Sequence, residues 1–586
     1  DPFQSHEWTC KPLIAGDATP SSTFDVLNPA NPVDLVGRTT AADTSAVDLA
    51  LAASQVWRAS AVDRAAILAR AADLYEARAG EIFALLAREA GKTLPDAVGE
   101  LREAVDFLRY YAHLSIGLSG EPVGIVTCIS PWNFPLAIFT GQVAGALSAG
   151  CGVLAKPAEQ TSLIAYLAIG LLHEAGVPRD VLQYLPGDGS TVGRALTSDP
   201  RIDAVAFTGS TETARIIRAA MADHLTPGSP LVAETGGINA MIVDSTALLE
   251  QAVRDVVASA FQSAGQRCSA LRCLYVQEDI ADAFREMLVG AMKELTVGDP
   301  WLHSTDVGPI IDADAHEDIS NYLKNSNISY QAHAPEIGHF CPPSLIEVPS
   351  IAAVEREIFG PVLHMATFEA EDLERVIADI NKMGYGLTFG LHTRIDSRVQ
   401  EVVEQIKVGN IYVNRNQIGA VVGSQPFGGE GLSGTGPKAG GPLYPWRFRK
   451  GGNPMAAAVR DMPGPTGETN RLSLSTRGPY LCLGPGPEQV DRQVAALEEI
   501  GGSGIKSDKI DPADLIAAQN ISGAIWWGDS ETARGYDKAL ASRQGAILPL
   551  ITNAPRLLDV AHERHLCVDT TASGGNAALL AEASSA

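Results

Sequence analysis

The chain lacks any C-x-x-C pair or cysteine-dense stretch. Its eight cysteines, Cys10, Cys128, Cys151, Cys268, Cys273, Cys341, Cys482 and Cys567, are scattered over 586 residues. That spacing excludes a disulfide framework and a zinc site, and predicts a reducing, cytoplasmic setting with no bound metal. Positive charge is also scarce. Lys and Arg number 44 against 69 Asp and Glu, a formal charge of −25, so no broad basic field exists to gather nucleic-acid phosphates. No long apolar run is present. The most lipid-like stretch, 134–155, is interrupted by Thr140, Gly141, Gln142 and Ser148 and ends at Lys156, which predicts a buried helix and strand rather than a membrane span. No initiating Met and no charged, apolar leader precede the fold at Asp1, so the chain is expected to be a piece of something longer. No G-x-G-x-x-G fingerprint follows the apolar runs between Gly124 and Glu234, where a dinucleotide turn would lie.

What is present describes a packed enzyme. With 46% hydrophobic and 19% charged residues the chain can fill cores, and single cores stop growing at roughly 250–300 residues, so several domains are expected. From Ser45 to Leu114 apolar residues recur three and four apart among good helix formers. From Gly124 onward the rhythm changes. Short apolar runs (Gly124-Ile-Val-Thr-Cys-Ile, Gly152-Val-Leu-Ala, Ala204-Val-Ala-Phe) alternate with helical segments, the pattern of β-α-β units around a parallel sheet, and so of an α/β fold. A second such region starts at Asn239, with a strand through Asp244 and a helix from Leu248 to Ser263 leading to Cys268. The Gly- and Pro-rich stretch 450–467 reads as a linker.

Three side chains carry candidate chemistry. Cys268, in Gly265-Gln-Arg-Cys, follows a predicted helix and has Arg267 and Arg272 near it in sequence; a neighbouring cation or helix end lowers a thiol's pKa. Taken alone, such a cysteine is most often a small buried apolar residue. Glu234 precedes Thr235-Gly-Gly at the end of the strand 231–233, where a carboxylate facing a cleft can take a proton from water. Asn133, between Pro131 and Pro135, can present its amide as an oxyanion donor.

The motifs Pro131-Trp-Asn-Phe-Pro, Ala155-Lys-Pro, Phe207-Thr-Gly-Ser, Glu234-x-Gly-Gly, Gly265-Gln-Arg-Cys, Glu357-x-Phe-Gly-Pro and Pro426-Phe-Gly-Gly occur in the order seen in the aldehyde dehydrogenase superfamily, which the chain resembles. Cys128-Ile-Ser-Pro-Trp-Asn-Phe-Pro-Leu-Ala-Ile-Phe and the run 426–442 resemble more closely the L-glutamate γ-semialdehyde (pyrroline-5-carboxylate) dehydrogenases, and among them the C-terminal part of the bifunctional proline utilization A family. The resemblance implies an aldehyde dehydrogenase fold: N-terminal helices and a Rossmann-like NAD-binding domain over 1–235, and an α/β catalytic domain over 236–425. A return segment over 426–450 and a degenerate Rossmann-like extension with a closing motif over 451–586 would complete it. It implies NAD-dependent oxidation of glutamate semialdehyde to glutamate through a Cys268 thiohemiacetal and thioester, with Asn133 holding the oxyanion and Glu234 activating water. Relatives that pass the acyl group to coenzyme A generally lack that glutamate. An upstream proline dehydrogenase domain would be the missing partner, and a homodimer is left open.

Cofactor residues carried over by the same resemblance are Lys156 and Glu159 at the adenosine ribose, Phe207, Gly209 and Ser210 around the pyrophosphate, and Glu357 with Phe359 at the nicotinamide ribose. A carboxylate at Glu159 disfavours an added 2′-phosphate. For the substrate, Ser269, Gly419 and Ala420 would bind the α-carboxylate through a backbone nest, and Phe134 and Phe427 would flank the aliphatic part. A purely structural hairpin is the competing account of the glycines.

Two features stand apart. Ile202-Asp-Ala-Val-Ala-Phe-Thr-Gly-Ser-Thr-Glu-Thr-Ala-Arg recurs faintly as Ile521-Ser-Gly-Ala-Ile-Trp-Trp-Gly-Asp-Ser-Glu-Thr-Ala-Arg, so the tail is expected to be a second Rossmann-like unit, inactive because Asp529 stands in place of Ser210. The interval 112–122 is also too short for the protruding hairpin of relatives, and 463–480 is expected to supply it from the tail.

Overall fold

A computed structural model describes residues 2–16, 21–452, 454, 458–508 and 510–571; most of the closing motif, from residue 572 onward, lies outside the described residues. Helices Thr44–Ala53, Ala61–Ala77, Ala79–Ala90 and Leu94–Ser115 occupy the span expected to be helical. The second starts at Ser60, whose side chain accepts from the Asp63 N–H, and buries Leu68, Ala71, Ala72 and Tyr75 at helical spacing. Ahead of them, in a stretch whose sequence shows no clear period, the chain forms a three-stranded sheet from Trp8–Cys10, Thr23–Asn28 and Asn31–Thr40. Its alternation of partly buried and exposed residues is broken by register shifts near Leu27, which hides the two-residue period in the sequence.

Five parallel strands follow, in the spatial order Leu182–Tyr184, Gly152–Lys156, Ile125–Ile129, Ala204–Thr208, Leu231–Glu234. The strand first in sequence lies in the middle, and the chain winds to one side of it and then to the other. Crevices for ligands open at the carboxyl ends of such strands, at that reversal point. The apolar run 134–155 becomes the helix Ala137–Ser148 and the strand Gly152–Lys156, as expected, and no helix among the described residues is long and apolar enough to cross a membrane.

A ten-stranded sheet takes up the chain just after Cys268, at Leu271–Gln277. Its parallel centre runs through Val362–Phe368, Leu271–Gln277, Asn239–Val243, Thr388–His392 and Asn410–Val413. The tail then enters it: Ala561–Asp569 pairs in parallel with Asn410–Val413, and the antiparallel hairpin Val459–Met462 with Glu468–Thr476 extends the sheet beyond it. The stretch 451–586 is therefore not one separate unit, and the range read as a linker, 450–467, contains the strand Val459–Met462. Of residues 463–480, Glu468–Thr476 is the next-to-last strand of the ten-stranded sheet and Tyr480 opens a strand of the tail's own sheet.

The remainder of the tail is a four-stranded parallel sheet in the order Gly504–Lys506, Tyr480–Cys482, Gly523–Ile525, Leu550–Ile551. This repeats the order of the five-stranded sheet with one edge strand missing. The sequence echo falls at equivalent places: Ser210 caps the helix Thr211–His224 by accepting from the Thr213 N–H at 3.0 Å, and Asp529 caps Ser530–Ala541 by accepting from the Thr532 N–H at 2.8 Å. The two capped helices pack on each other through a buried Arg218–Asp537 ion pair, with Lys538–Asp223 at 2.8 Å on the outside.

Candidate active site

The helix Leu249–Phe261 ends in an unusual turn. Ser263, Ala264 and Gly265 all have positive φ, and a Cβ on Gly265 would come within 2.2 Å of the Gly360 carbonyl oxygen. Only glycine fits there, which gives the Gly265-Gln-Arg-Cys motif a physical reason and brings it against Glu357-x-Phe-Gly-Pro. Arg272, which is fully buried, closes the turn by donating to the carbonyls of Gly265 at 2.8 Å and Gly360 at 3.2 Å while pairing with Glu357 at 3.1 Å. Its guanidinium lies over the Phe359 ring at 5.3 Å, and Phe359 meets Trp132 edge-on at 5.5 Å. Motifs more than 200 residues apart in number thus converge on one turn.

Cys268, half-buried, follows that turn, and its carbonyl accepts from the Asn239 amide at 2.6 Å. Asn239 also donates to Ala270 O at 2.9 Å, so it holds the backbone on both sides of Ser269. Asn133 is buried and donates from Nδ2 to Gln266 O at 3.2 Å, while its own carbonyl accepts from the Lys92 ammonium. An amide nitrogen has two N–H donors, so one remains for an oxyanion beside Cys268.

Glu234 ends the strand Leu231–Glu234. Its Oε2 accepts from the Gly429 N–H at 2.9 Å, and its Oε1 is buried without a hydrogen-bond partner. Cβ atoms on Gly428 or Gly434 would come within 2.8 Å of the carboxylate, so glycines are needed where it lies. Burial pushes the Glu234 carboxyl up to about 8, against the opposing pull of the Gly429 N–H and of Lys438. Burial likewise pushes the Cys268 thiol up to about 12, reinforced by the charges of Glu357, Glu234 and Glu103. The expected help from adjacent arginines does not arrive. Arg267 turns to Asp96 at 2.8 Å and Arg272 to Glu357, because a buried guanidinium must find a carboxylate.

Glu103, on the helix Leu94–Ser115, is a residue missed in sequence; nothing local links it to Cys268, although its charge acts on the thiol. Phe134 lies under two cations, Lys92 at 4.7 Å and Arg267 at 5.3 Å from its ring centre. Ser269 is buried, and its carbonyl accepts from the Gln417 amide at 3.2 Å, which ties the following loop to the residue beside the nucleophile. In that loop Gly419 has φ +74° and is exposed, and Ala420 is half-buried. Phe427 is half-buried and bridges to Ala439.

At the other end of the cleft, Ser210 is exposed at the start of the helix Thr211–His224 and Gly209 donates to Glu234 O at 3.1 Å. The ring of Phe207 is buried in the core beneath Gly209, where a Cβ would meet it at 2.6 Å. Lys156 is buried and donates to the Pro157 carbonyl at 3.1 Å, and exposed Glu159 accepts from the Gly189 N–H at 2.8 Å. A helix N-terminus beside a side-chain-free turn, with an ammonium and a carboxylate further along, fits a dinucleotide phosphate and ribose. Among the described residues no group of His, Cys, Asp and Glu is arranged to hold a metal.

The profile of the Aldehyde dehydrogenase family matches residues 17–446. The Bifunctional protein PutA of Salmonella typhimurium (strain LT2) is 43% identical over 98% of this chain and 51% of its own length. The 1-pyrroline-5-carboxylate dehydrogenase of Geobacillus sp. (strain WCH70) is 37% identical over 74% of this chain and 90% of its own. In fold, a mutant of Thermus thermophilus 1-pyrroline-5-carboxylate dehydrogenase superposes with a TM-score of 0.71 at 33% identity, covering 76% of this chain and 92% of that one. A mutant of Bradyrhizobium japonicum PutA gives 0.68 at 50% identity over 70% of this chain and 44% of that one. The chain spans about half the length of the PutA relatives it matches.

Proposed function

Because this chain belongs to the aldehyde dehydrogenase family, we propose that it oxidises L-glutamate γ-semialdehyde, the ring-opened form of pyrroline-5-carboxylate, to L-glutamate with NAD, the second step of proline catabolism. The Cys268 thiolate adds to the aldehyde carbon, and the oxyanion accepts from the free Asn133 Nδ2–H and the Cys268 backbone N–H. NAD, when bound, would supply the hydride acceptor, and loss of the hydride would leave the acyl group on Cys268 as a thioester. Glu234 then takes a proton from water, the water oxygen attacks the thioester carbon, the C–S bond breaks, and the sulfur leaves as thiolate. Lys156, Glu159, Gly209, Ser210, Glu357 and Phe359 would hold the cofactor, with Phe207 as the floor beneath Gly209.

The observation that carries the substrate is the tie between Gln417 and the Ser269 carbonyl. It ties Gln417, two residues before Gly419, to the residue after Cys268, which supports a carboxylate site at Gly419 and Ala420, since the N–H groups of a positive-φ turn suit a carboxylate. Phe134 and Phe427 are the apolar walls. The names of the relatives agree with this reading, and those described as bifunctional suggest a proline dehydrogenase partner in the remaining half. The test is kcat/KM for pyrroline-5-carboxylate against succinate semialdehyde, which lacks the amine. At least a tenfold preference for the former is expected, and parity would favour a different semialdehyde.

A further inference from the structure

The peptide between Gly428 and Gly429 faces two charges at once. Its N–H donates to Glu234 Oε2 at 2.9 Å, and its carbonyl accepts from the Lys438 ammonium. Lys438 is 2% exposed, and its Nζ also donates to Asn410 Oδ1 at 2.7 Å. The same Asn410 oxygen accepts from Gly428 N at 3.2 Å, so the ammonium and the peptide share one anchor. Gly409 leaves room for this arrangement, since a Cβ there would meet the Gly428 oxygen at 2.1 Å and Lys438 Nζ at 2.7 Å. From the other side, Glu563 of the tail strand Ala561–Asp569 accepts from the Lys438 N–H at 2.8 Å, and its second oxygen is buried without a hydrogen-bond partner. That strand is seated by His565 N donating to Gly409 O at 2.8 Å.

We propose that Lys438 is the positioning residue of the general base, holding Glu234 through the Gly428–Gly429 peptide, and that Glu563 makes deacylation depend on the C-terminal strand. The proposal rests on the reading of Glu234 as the base. Electrostatics agree with the geometry: Lys438 lowers and Glu563 raises the Glu234 carboxyl, and Lys438 itself is pulled down by burial against Glu234, Glu563 and Glu430. The other groups facing this cluster are Arg564, which opposes the ammonium, Arg477 and Arg447, which with Lys438 draw Glu563 down against the upward push of its burial, His562 and His565 on the tail strand, Cys268 and Tyr444.

The test uses p-nitrophenyl acetate, which needs neither NAD nor an aldehyde. Cys268 sulfur bonds to the acetyl carbon, the ester C–O bond breaks and p-nitrophenolate leaves; water then hydrolyses the thioester with its proton taken by Glu234. The burst reads acylation and the steady state reads deacylation. In the full chain, Lys438→Met is expected to keep the burst within twofold, to slow the steady state at least tenfold at neutral pH, and to move the midpoint of its pH profile upward. Glu563→Gln is expected to move that midpoint downward. Opposite shifts follow from a charge relay, and a merely structural role would not produce them. Shifts in the same direction, or a burst that falls together with turnover, would overturn the proposal. If Lys438→Met does not fold, a Glu563→Gln profile that superimposes on the wild type overturns it alone. Glu234→Gln serves as the control: an unchanged profile there would refute the base assignment, and a different preferred aldehyde would leave the ester result untouched.

Discussion

Burial shapes Cys268 and Glu234 more than any single neighbour does. Both are shifted upward, the thiol to about 12 and the carboxyl to about 8, with loss of hydration as the leading cause. The thiol is therefore protonated at neutral pH until something positive or proton-accepting approaches, and Glu234 becomes a base only as pH rises. Steady-state turnover limited by deacylation should climb through about pH 8, the value to which Glu234 is raised. In Glu234→Gln, rapid mixing should still show the first equivalent of NADH, with later turnovers slowed on the order of 10²–10⁴-fold. Loss of that first equivalent would mean that Glu234 acts before hydride transfer. The proposed roles of Cys268, Glu234 and Asn133 rest on short local motifs, which the sequence shows directly. Their surroundings were not legible there: Asn239, Glu103 and Lys438 reach the site only through the fold, and the direction of Arg267 and Arg272 is set by Asp96 and Glu357, distant in sequence.

Elements with a clean period were readable in advance. The helices between 44 and 115 and the strand Ile125–Ile129 declare themselves by spacing and by continuous burial. The first 40 residues did not, because register shifts blur their alternation. The strand Ala561–Asp569 is the least predictable element, since its seat beside Asn410–Val413 depends on a partner some 150 positions away. It also has a built-in sensitivity to acid. His565 is fully buried with neither ring nitrogen hydrogen-bonded, and burial next to Lys438 and Arg415 lowers it to about 3 from the usual 6.5. Its folded value is depressed, so the unfolded chain binds the extra proton below pH 6.5 and stability falls as pH drops toward 3. The slope reaches about 1.4 kcal/mol per pH unit for one such group. The protection factor of the strand against hydrogen exchange should therefore fall between pH 6.5 and 5 in the wild type and less so in His565→Asn; an equal fall in both would refute this source of acid sensitivity.

At the scale of the whole molecule, the tail is bound at two places. Its hairpin and closing strand complete the ten-stranded sheet, and its parallel sheet docks through the helix Ser530–Ala541 onto Thr211–His224, the helix capped by Ser210. The pair at the centre of that contact, Arg218 and Asp537, is buried on both sides. Arg218→Ala leaves Asp537 unpaired in the interior, at a cost of about 3–5 kcal/mol. The tail should then unfold or become protease-sensitive before the remainder, visible as an added transition in a denaturant melt; a single unshifted transition would show that the contact contributes nothing. The faint repeat at 202–215 and 521–534 foretold this second sheet, while the division of the tail between two sheets could not be read from composition. The central claim is catalytic, and one measurement bears on it most directly: NADH formation from pyrroline-5-carboxylate by the wild-type chain and by Cys268→Ala, with the product identified. The account predicts one glutamate per NADH from the wild type and none from Cys268→Ala, whose NAD binding is retained. NADH production by Cys268→Ala at the wild-type rate, or an idle wild type that binds NAD, would contradict it.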